Sequence, residues 1–276
     1  MSSFASRCFR RINFDTVAGA SIAITGCIVL GEGYVRSELS DAQTSLECRY
    51  PPASSIITAE HVRKLEQSHM VVIHNVLSTQ ALAGARRSVH KLTLDAENHS
   101  NDDDVRQDQI CLVRESDSDF EHDSGSDDII HCIKLLRGIP CLLDRFNYNT
   151  SSFVVPRQCQ LARYLPDGST YKRHLDKCTS SLSDMGLLGW LRASDYRHRS
   201  VTCILYLNAQ DWTSGGKLRC FDYQQEGKSS NSIDINPTGG TLIIFDSEKV
   251  EHEVLPSSNV RYALTIWING TSNDST

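Results

Sequence analysis

QCQLARYLPDGSTYKRHLD, residues 158–176, is the stretch whose reading decides the fold. QCQLARYL (158–165) is a short, largely apolar run, Pro166-Asp167-Gly168 is a turn signal, and YKRHL (171–175) begins a second run. The same alternation of run and turn continues to the end of the chain. VTCILYL (201–207), KLRCF (217–221), SIDI (232–235), TLIIF (241–245), HEVL (252–255) and YALTIWI (262–268) follow, with Ser214-Gly215-Gly216 and Thr238-Gly239-Gly240 between them. Eight short strands with no repeated helical pattern among them predict an antiparallel barrel or jelly roll. The exception is 178–198, where Leu182, Met185, Leu188 and Leu191 predict a helical insertion.

Upstream of Arg157 the periodicity is helical. Thr58-Ala59-Glu60-His61 opens a helix with Val62 and Leu65 spaced by three. HMVVIHNVL (69–77) reads as a strand. Ser78 caps a helix over 79–94, with Leu82, Ala85, Val89 and Leu92 on one face. Residues 95–128 are acidic and polar around QICLV (109–113); they read as solvated loops, with steering of a basic substrate as the sharper alternative. Ile129 to Phe146 is helical in pattern, and Pro140 threatens its continuation. The division expected is therefore 1–55, a targeting or disordered segment and linker; 56–156, a helical and strand support; 157–270, the strand-built core; and 271–276, a tail.

Arg7, Arg10 and Arg11 precede an apolar run from Val17 to Leu30. That run is shorter than the roughly 20 residues a membrane-spanning helix needs, so no stable span is expected. It suits an organelle or secretory targeting segment, or a disordered start with a short buried piece. The sequons at Asn98, Asn149, Asn269 and Asn273 matter only if the chain is secreted. Ten scattered cysteines without a CxxC pair read as buried free thiols, which favours a reducing, cytoplasmic or nuclear compartment. The composition, 39% hydrophobic and 22% charged, excludes wholesale disorder, collagen and coiled coil. A net charge of -6 gives phosphate attraction no evident source, so no nucleic-acid partner is expected.

The chemistry starts at His174-Leu175-Asp176, the chain's one His-x-Asp/Glu. On a strand, positions i and i+2 share a face, and His252 stands in another strand-like run. Two His and one carboxylate with open positions form the facial triad of non-haem Fe(II) oxygenases. A surface His beside a solvated Asp is the plainer alternative. Arg261, nine residues past His252, argues against it. A buried guanidinium needs a partner, and a dicarboxylate such as 2-oxoglutarate pairs with it bidentately. An unpartnered Arg at a strand mouth is the alternative there.

These pieces resemble the prolyl 4-hydroxylase family of Fe(II)/2-oxoglutarate dioxygenases, particularly its oxygen-sensing members that act on hypoxia-inducible factor. The resemblance runs from about Arg157 to Gly270, through ARYLPDGSTYKRHLD (162–176), SVTCILYLN (200–208), SGGKLRCF (214–221) and HEVLPSSNVRYALTIWI (252–268). EHVRKLEQSHMVVIHNVLS (60–78) and Arg106-Gln107-Asp108 are weaker matches. It implies an α+β fold: a double-stranded β-helix (jelly-roll, cupin-like) core with N-terminal supporting helices. It implies that His174, Asp176 and His252 ligate iron, that Arg261 and Tyr206 hold the distal carboxylate of 2-oxoglutarate, and that Tyr164 and Thr265 line the cosubstrate site. Arg199 and Trp267 would line the substrate groove; as plain structural residues, Tyr164 and Trp267 would be core aromatics. The 178–198 insertion departs from the sensor enzymes at the substrate-facing rim. The implied activity is 4-hydroxylation of prolyl residues in a protein substrate, consuming dioxygen, releasing succinate and carbon dioxide, and supported by L-ascorbate. The alternatives are a related dioxygenase acting on a lysyl, small-molecule or nucleic-acid substrate, and a non-catalytic barrel serving as a binding module.

Overall fold

The structure, a computed structural model, describes residues 56–91, 105–114, 126–150, 152–178, 198–221 and 232–271. The expected targeting segment, residues 179–197 of the insertion, most of the acidic stretch 95–128 and the tail from 272 lie outside the described residues.

The first helix, α1 (Ala59–Ser68), starts at Thr58, whose hydroxyl accepts from His61 N while His61 Nδ1 accepts from Thr58 N. This reciprocal pair satisfies two otherwise orphaned donors. His69, left-handed at φ 59°, ends the helix and turns the chain into β1 (Met70–Ile73). The strand is shorter than the 69–77 run predicts. Asn75 adopts φ 58°, which leaves the extended region, and Val76 N bonds Gly240 O instead of a strand neighbour. Helix α2 (Thr79–Lys91) is capped by Ser78, whose Oγ accepts from Ala81 N, and it buries Leu82, Ala85 and Val89.

The helical pattern expected over 129–146 forms two helices, α3 (Ser126–Arg137) and α4 (Ile139–Arg145). The break is at Gly138, and Pro140 sits in the first turn of α4, where its missing N–H costs nothing.

The strands after β1 are β2 (Gln109–Val113), β3 (Ser152–Val154), β4 (Cys159–Tyr164), β5 (Tyr171–His174), β6 (Arg199–Tyr206), β7 (Leu218–Phe221), β8 (Ser232–Ile235), β9 (Leu242–Asp246), β10 (Glu251–Val254) and β11 (Arg261–Thr271). Each of the eight runs from 158 onward forms a strand. They assemble into a large antiparallel sheet of order β1-β9-β6-β11-β4-β2, with β3 also on β11, and a small one of order β5-β10-β7-β8. The support segment thus contributes β1, β2 and β3 to the large sheet.

Alternation along β6 and β11 sorts side chains into two cores. Val201, Cys203, Leu205, Leu264, Ile266 and Ile268 face the helices and pack with Ile133, Leu135 and Leu136. Ile204, Tyr206 and Ala263 face the other way, into a cluster with Leu218, Cys220 and Val254 of the small sheet. Two packed antiparallel sheets with helices on one outer face make a jelly roll of the α+β class. The seven described cysteines are free, and Cys132, Cys159, Cys203 and Cys220 are buried. Among the described residues no helix is long and apolar enough to cross a membrane.

Candidate metal centre and carboxylate pocket

His174 and His252 are cross-strand partners on β5 and β10, their ring centroids 4.3 Å apart. Asp176 completes the group, but not by strand alternation. β5 ends at His174, and Asp176 sits in the bend beyond it. Tertiary bonds pull it inward: Thr202 Oγ1 donates to its Oδ2 at 2.7 Å, Arg199 Nη1 donates to its main-chain carbonyl, and Lys177 N bonds Ser247 O. Asp176 Oδ1 lies 3.7 Å from His174 Nε2, and Oδ2 lies 3.8 Å from His252 Nε2. One ligand atom from each residue falls within 4.8 Å of the others.

The histidines are oriented for metal binding. Nδ1 of His174 lies 2.8 Å from Lys172 O, and Nδ1 of His252 lies 3.1 Å from Val250 O. A carbonyl only accepts, so each Nδ1 carries a proton, and Nε2 is the ring nitrogen on the Asp176 side. Burial pushes the His252 imidazole below its usual pKa, against the pull of Asp176. Burial also works to raise the Asp176 carboxyl, but His252, His174 and Arg199 overcome it and hold the group well below the ordinary carboxylate range. Two imidazoles and one carboxylate, with no fourth such ligand beside them among the described residues, fit a redox-capable divalent ion with open positions.

Arg261 opens β11 with only 2% of its surface exposed. Its Nε donates to Gly216 O at 2.9 Å and its Nη2 to Tyr206 OH at 3.3 Å, while its guanidinium carbon lies 4.7 Å from the Tyr164 ring centre. Among the described residues no carboxylate pairs with it. Burial, opposed by Arg261, pushes the Tyr206 phenol up to about 12, so it keeps its proton. Tyr164 is likewise raised by burial, with Asp108 adding and Arg261 opposing. Thr265 is buried on the same face as Arg261 and Ala263. A buried, doubly anchored cation lacking a counter-ion fits an incoming carboxylate.

Arg199 and Trp267 stand together, the guanidinium carbon 3.9 Å from the ring centre, and Arg199 Nη1 also lies 3.9 Å from Asp176 Oδ1. Arg106 holds Asp108 bidentately at 2.5 and 2.9 Å and lies over the Tyr171 ring.

Four neighbours of the site escape a reading of sequence pattern alone. Tyr171 stacks on His174 at 3.7 Å between centroids. A register shift in the β5–β10 pair, with His174 opposite His252 and Tyr171 opposite Val254, brings residues three apart together. Phe245 packs edge-on against His252, and Thr202 with Ser247 supports Asp176. Only Thr202 left a signal, as the hydroxyl sharing a strand face with Ile204 and Tyr206.

The model of the 2OG-Fe(II) oxygenase superfamily matches residues 159–269. Mouse Egl nine homolog 1 is 34% identical over 173 residues, covering 59% of this chain and 35% of that protein. Human prolyl hydroxylase EGLN3 is 34% identical over 114 residues, covering 40% of this chain and 39% of its own length. The chain thus spans little more than a third of these curated relatives. In fold, it is similar to a Trichoplax adhaerens prolyl hydroxylase solved with a hypoxia-inducible-factor peptide (TM-score 0.59, 20% identity, 76% of this chain and 88% of that one). It is also similar to a Pseudomonas putida prolyl-4-hydroxylase (TM-score 0.56, 24% identity, 78% and 99%). Strands β4 to β11, which carry the three candidate ligands and Arg261, make up the segment that matches the 2OG-Fe(II) oxygenase superfamily model.

Proposed function

We propose that this chain is an Fe(II)- and 2-oxoglutarate-dependent dioxygenase that hydroxylates prolyl residues of a protein substrate at the 4-position. The observation that carries the reading is the pairing of a His-Asp-His group with a buried Arg261 that lacks a counter-ion among the described residues. On this reading 157–270 is the catalytic core and 56–156 its support. His174, Asp176 and His252 hold the iron through two neutral Nε2 atoms and one carboxylate. When bound, iron and 2-oxoglutarate supply dioxygen activation, yielding succinate, carbon dioxide and one oxygen atom for a substrate C–H bond.

The protein's own residues bind and orient. Arg261 anchors the distal carboxylate of the cosubstrate by charge and by its planar fork. Tyr206, protonated and already accepting from Arg261, donates its hydroxyl proton to the same carboxylate. Tyr164 and Thr265 wall that pocket, and the surrounding apolar cluster excludes water, which strengthens each polar contact. Arg199 and Trp267 form one edge of the substrate groove. The indole N–H of Trp267 is buried and has no hydrogen-bond partner among the described residues. L-Ascorbate is the expected reductant keeping iron ferrous. The name of human EGLN3 as a prolyl hydroxylase supports a proline-containing protein as substrate.

The test incubates the protein with Fe(II), 2-oxoglutarate, oxygen and a library of proline-containing peptides. Succinate should form, and mass spectrometry should find a peptide with one added oxygen on proline. Iron-dependent succinate production with no peptide modified would move the substrate to a lysyl, small-molecule or nucleic-acid class.

A further inference from the structure

The metal reading leaves two fully buried hydroxyls unexplained. Thr202, on β6, and Ser247, just past β9, each have no exposed surface. Thr202 Oγ1 lies 2.7 Å from Asp176 Oδ2 and 2.8 Å from Ser247 Oγ. The direction of both bonds follows from donor counting. Thr202 Oγ1 is the donor to the Asp176 carboxylate oxygen, so its single hydroxyl proton goes there. Thr202 then has only lone pairs for Ser247, so Ser247 donates to Thr202. The order Ser247 to Thr202 to Asp176 is thereby fixed.

We propose that Ser247 and Thr202 form a directional hydroxyl relay that positions the Asp176 carboxylate for metal binding. The inference rests on the metal reading above. Asp176 lies beyond the end of β5, so no strand ladder holds it, and its orientation depends on such bonds. The relay occupies a lone pair of Oδ2, while Oδ1 faces His174 Nε2 and Arg199. Ser247 also ties the segment through its backbone, accepting from Lys177 N and donating to Ser200 O. Side chain and main chain of Ser247 therefore clamp the same bend. Hydrogen bonds in series polarise one another, so Ser247 strengthens the bond that Thr202 makes. Thr202 and Ser247 are positioning residues; neither ligates the metal.

The test is titration of the metal-free protein with Mn(II), read by electron paramagnetic resonance of the free ion, with the melting midpoint of the metal-free protein in parallel. Thr202→Val keeps the shape and removes the donor; it should weaken Mn(II) binding about 10–100-fold, the usual loss when a partner of a ligand is removed. Thr202→Ser restores the donor and should restore affinity. Ser247→Ala should give a smaller loss, and the Thr202→Val/Ser247→Ala pair should bind no more weakly than Thr202→Val alone, because the relay is already broken. Unchanged affinity in Thr202→Val, losses that multiply in the double variant, or a lowered melting midpoint with unaltered affinity would each overturn the relay. If Thr202→Val does not fold, Ser247→Ala decides: weaker binding supports the relay and equal binding overturns it. Wild-type protein that binds no Mn(II) would instead overturn the metal reading itself.

Discussion

His174 and His252 face each other across the β5–β10 ladder as register partners, each with Nδ1 on a backbone carbonyl two residues earlier in its own chain. The two strands set the separation of the rings, and the two carbonyls set their rotation. Both Nε2 atoms therefore reach Asp176 without a side-chain search for the right tautomer.

On the proposed reading, that arrangement makes metal binding depend on each of the three residues. His174→Ala should abolish retention of Fe(II) by purified protein, with a loss larger than the roughly 10–100-fold that a supporting contact contributes. Metal analysis after desalting, beside the wild type, measures it.

Arg261→Ala should raise the 2-oxoglutarate dissociation constant roughly a hundredfold or more, since removing one partner of a buried charge pair costs about 3–5 kcal/mol. Mn(II) binding should be unaffected. Lys at this position should recover part of the affinity, because an ammonium lacks the planar fork. Calorimetric titration of 2-oxoglutarate into Mn(II)-loaded protein gives the values; equal affinities would remove Arg261 from the site.

Gly216→Ala should weaken 2-oxoglutarate binding as well, through displacement of Arg261. Gly216 adopts φ 66°, and an added Cβ would stand 2.9 Å from Arg261 Cδ and 3.0 Å from Ser257 Cβ. The carbonyl of the same residue receives Arg261 Nε, so the strain falls on the anchor itself. The same calorimetry should show the loss with Mn(II) affinity retained.

The metal-free protein should lose stability as the pH falls below neutral. Burial holds His252 below its unfolded pKa of about 6.5. Between the two values the unfolded chain binds more protons, so the contribution of His252 is full above about 6.5 and disappears as pH falls through the folded value. Urea unfolding from pH 8 to pH 5 should show this slope, and it should flatten in His252→Asn.

Leu264→Ala, in the cluster between the large sheet and the helices, should cost about 2–5 kcal/mol of stability while folded protein keeps its Mn(II) affinity. Urea midpoints and Mn(II) titration separate the two effects.

The strands were legible because each carries its own alternation and its own turn. YALTIWI places Arg261, Ala263 and Thr265 on one face without help from any other segment. Where a residue's place depends on a distant partner, sequence pattern is silent. Asp176 reaches the histidines through Thr202 rather than through alternation with His174, and Tyr171 does so through a shifted register. The 69–77 run ends early at Asn75 because the backbone there serves a contact with Gly240. The 129–146 pattern divides because Gly138 and Pro140 begin a new helix.

The central place of β11 has a kinetic consequence. It is bonded to β4 on one side and β6 on the other, and Leu161 meets Leu264 across roughly a hundred residues of intervening chain, the kind of distant pairing that slows folding. A nascent chain emerging at about 5–20 residues per second would therefore hold β4 without this partner for about 5–20 s. During that interval Leu161 and Cys203 would lack their cover, which makes the half-made sheet a natural client for a ribosome-associated chaperone. Arg261 arrives on that same last strand, so competence to hold a carboxylate would be acquired at the final closing step of folding.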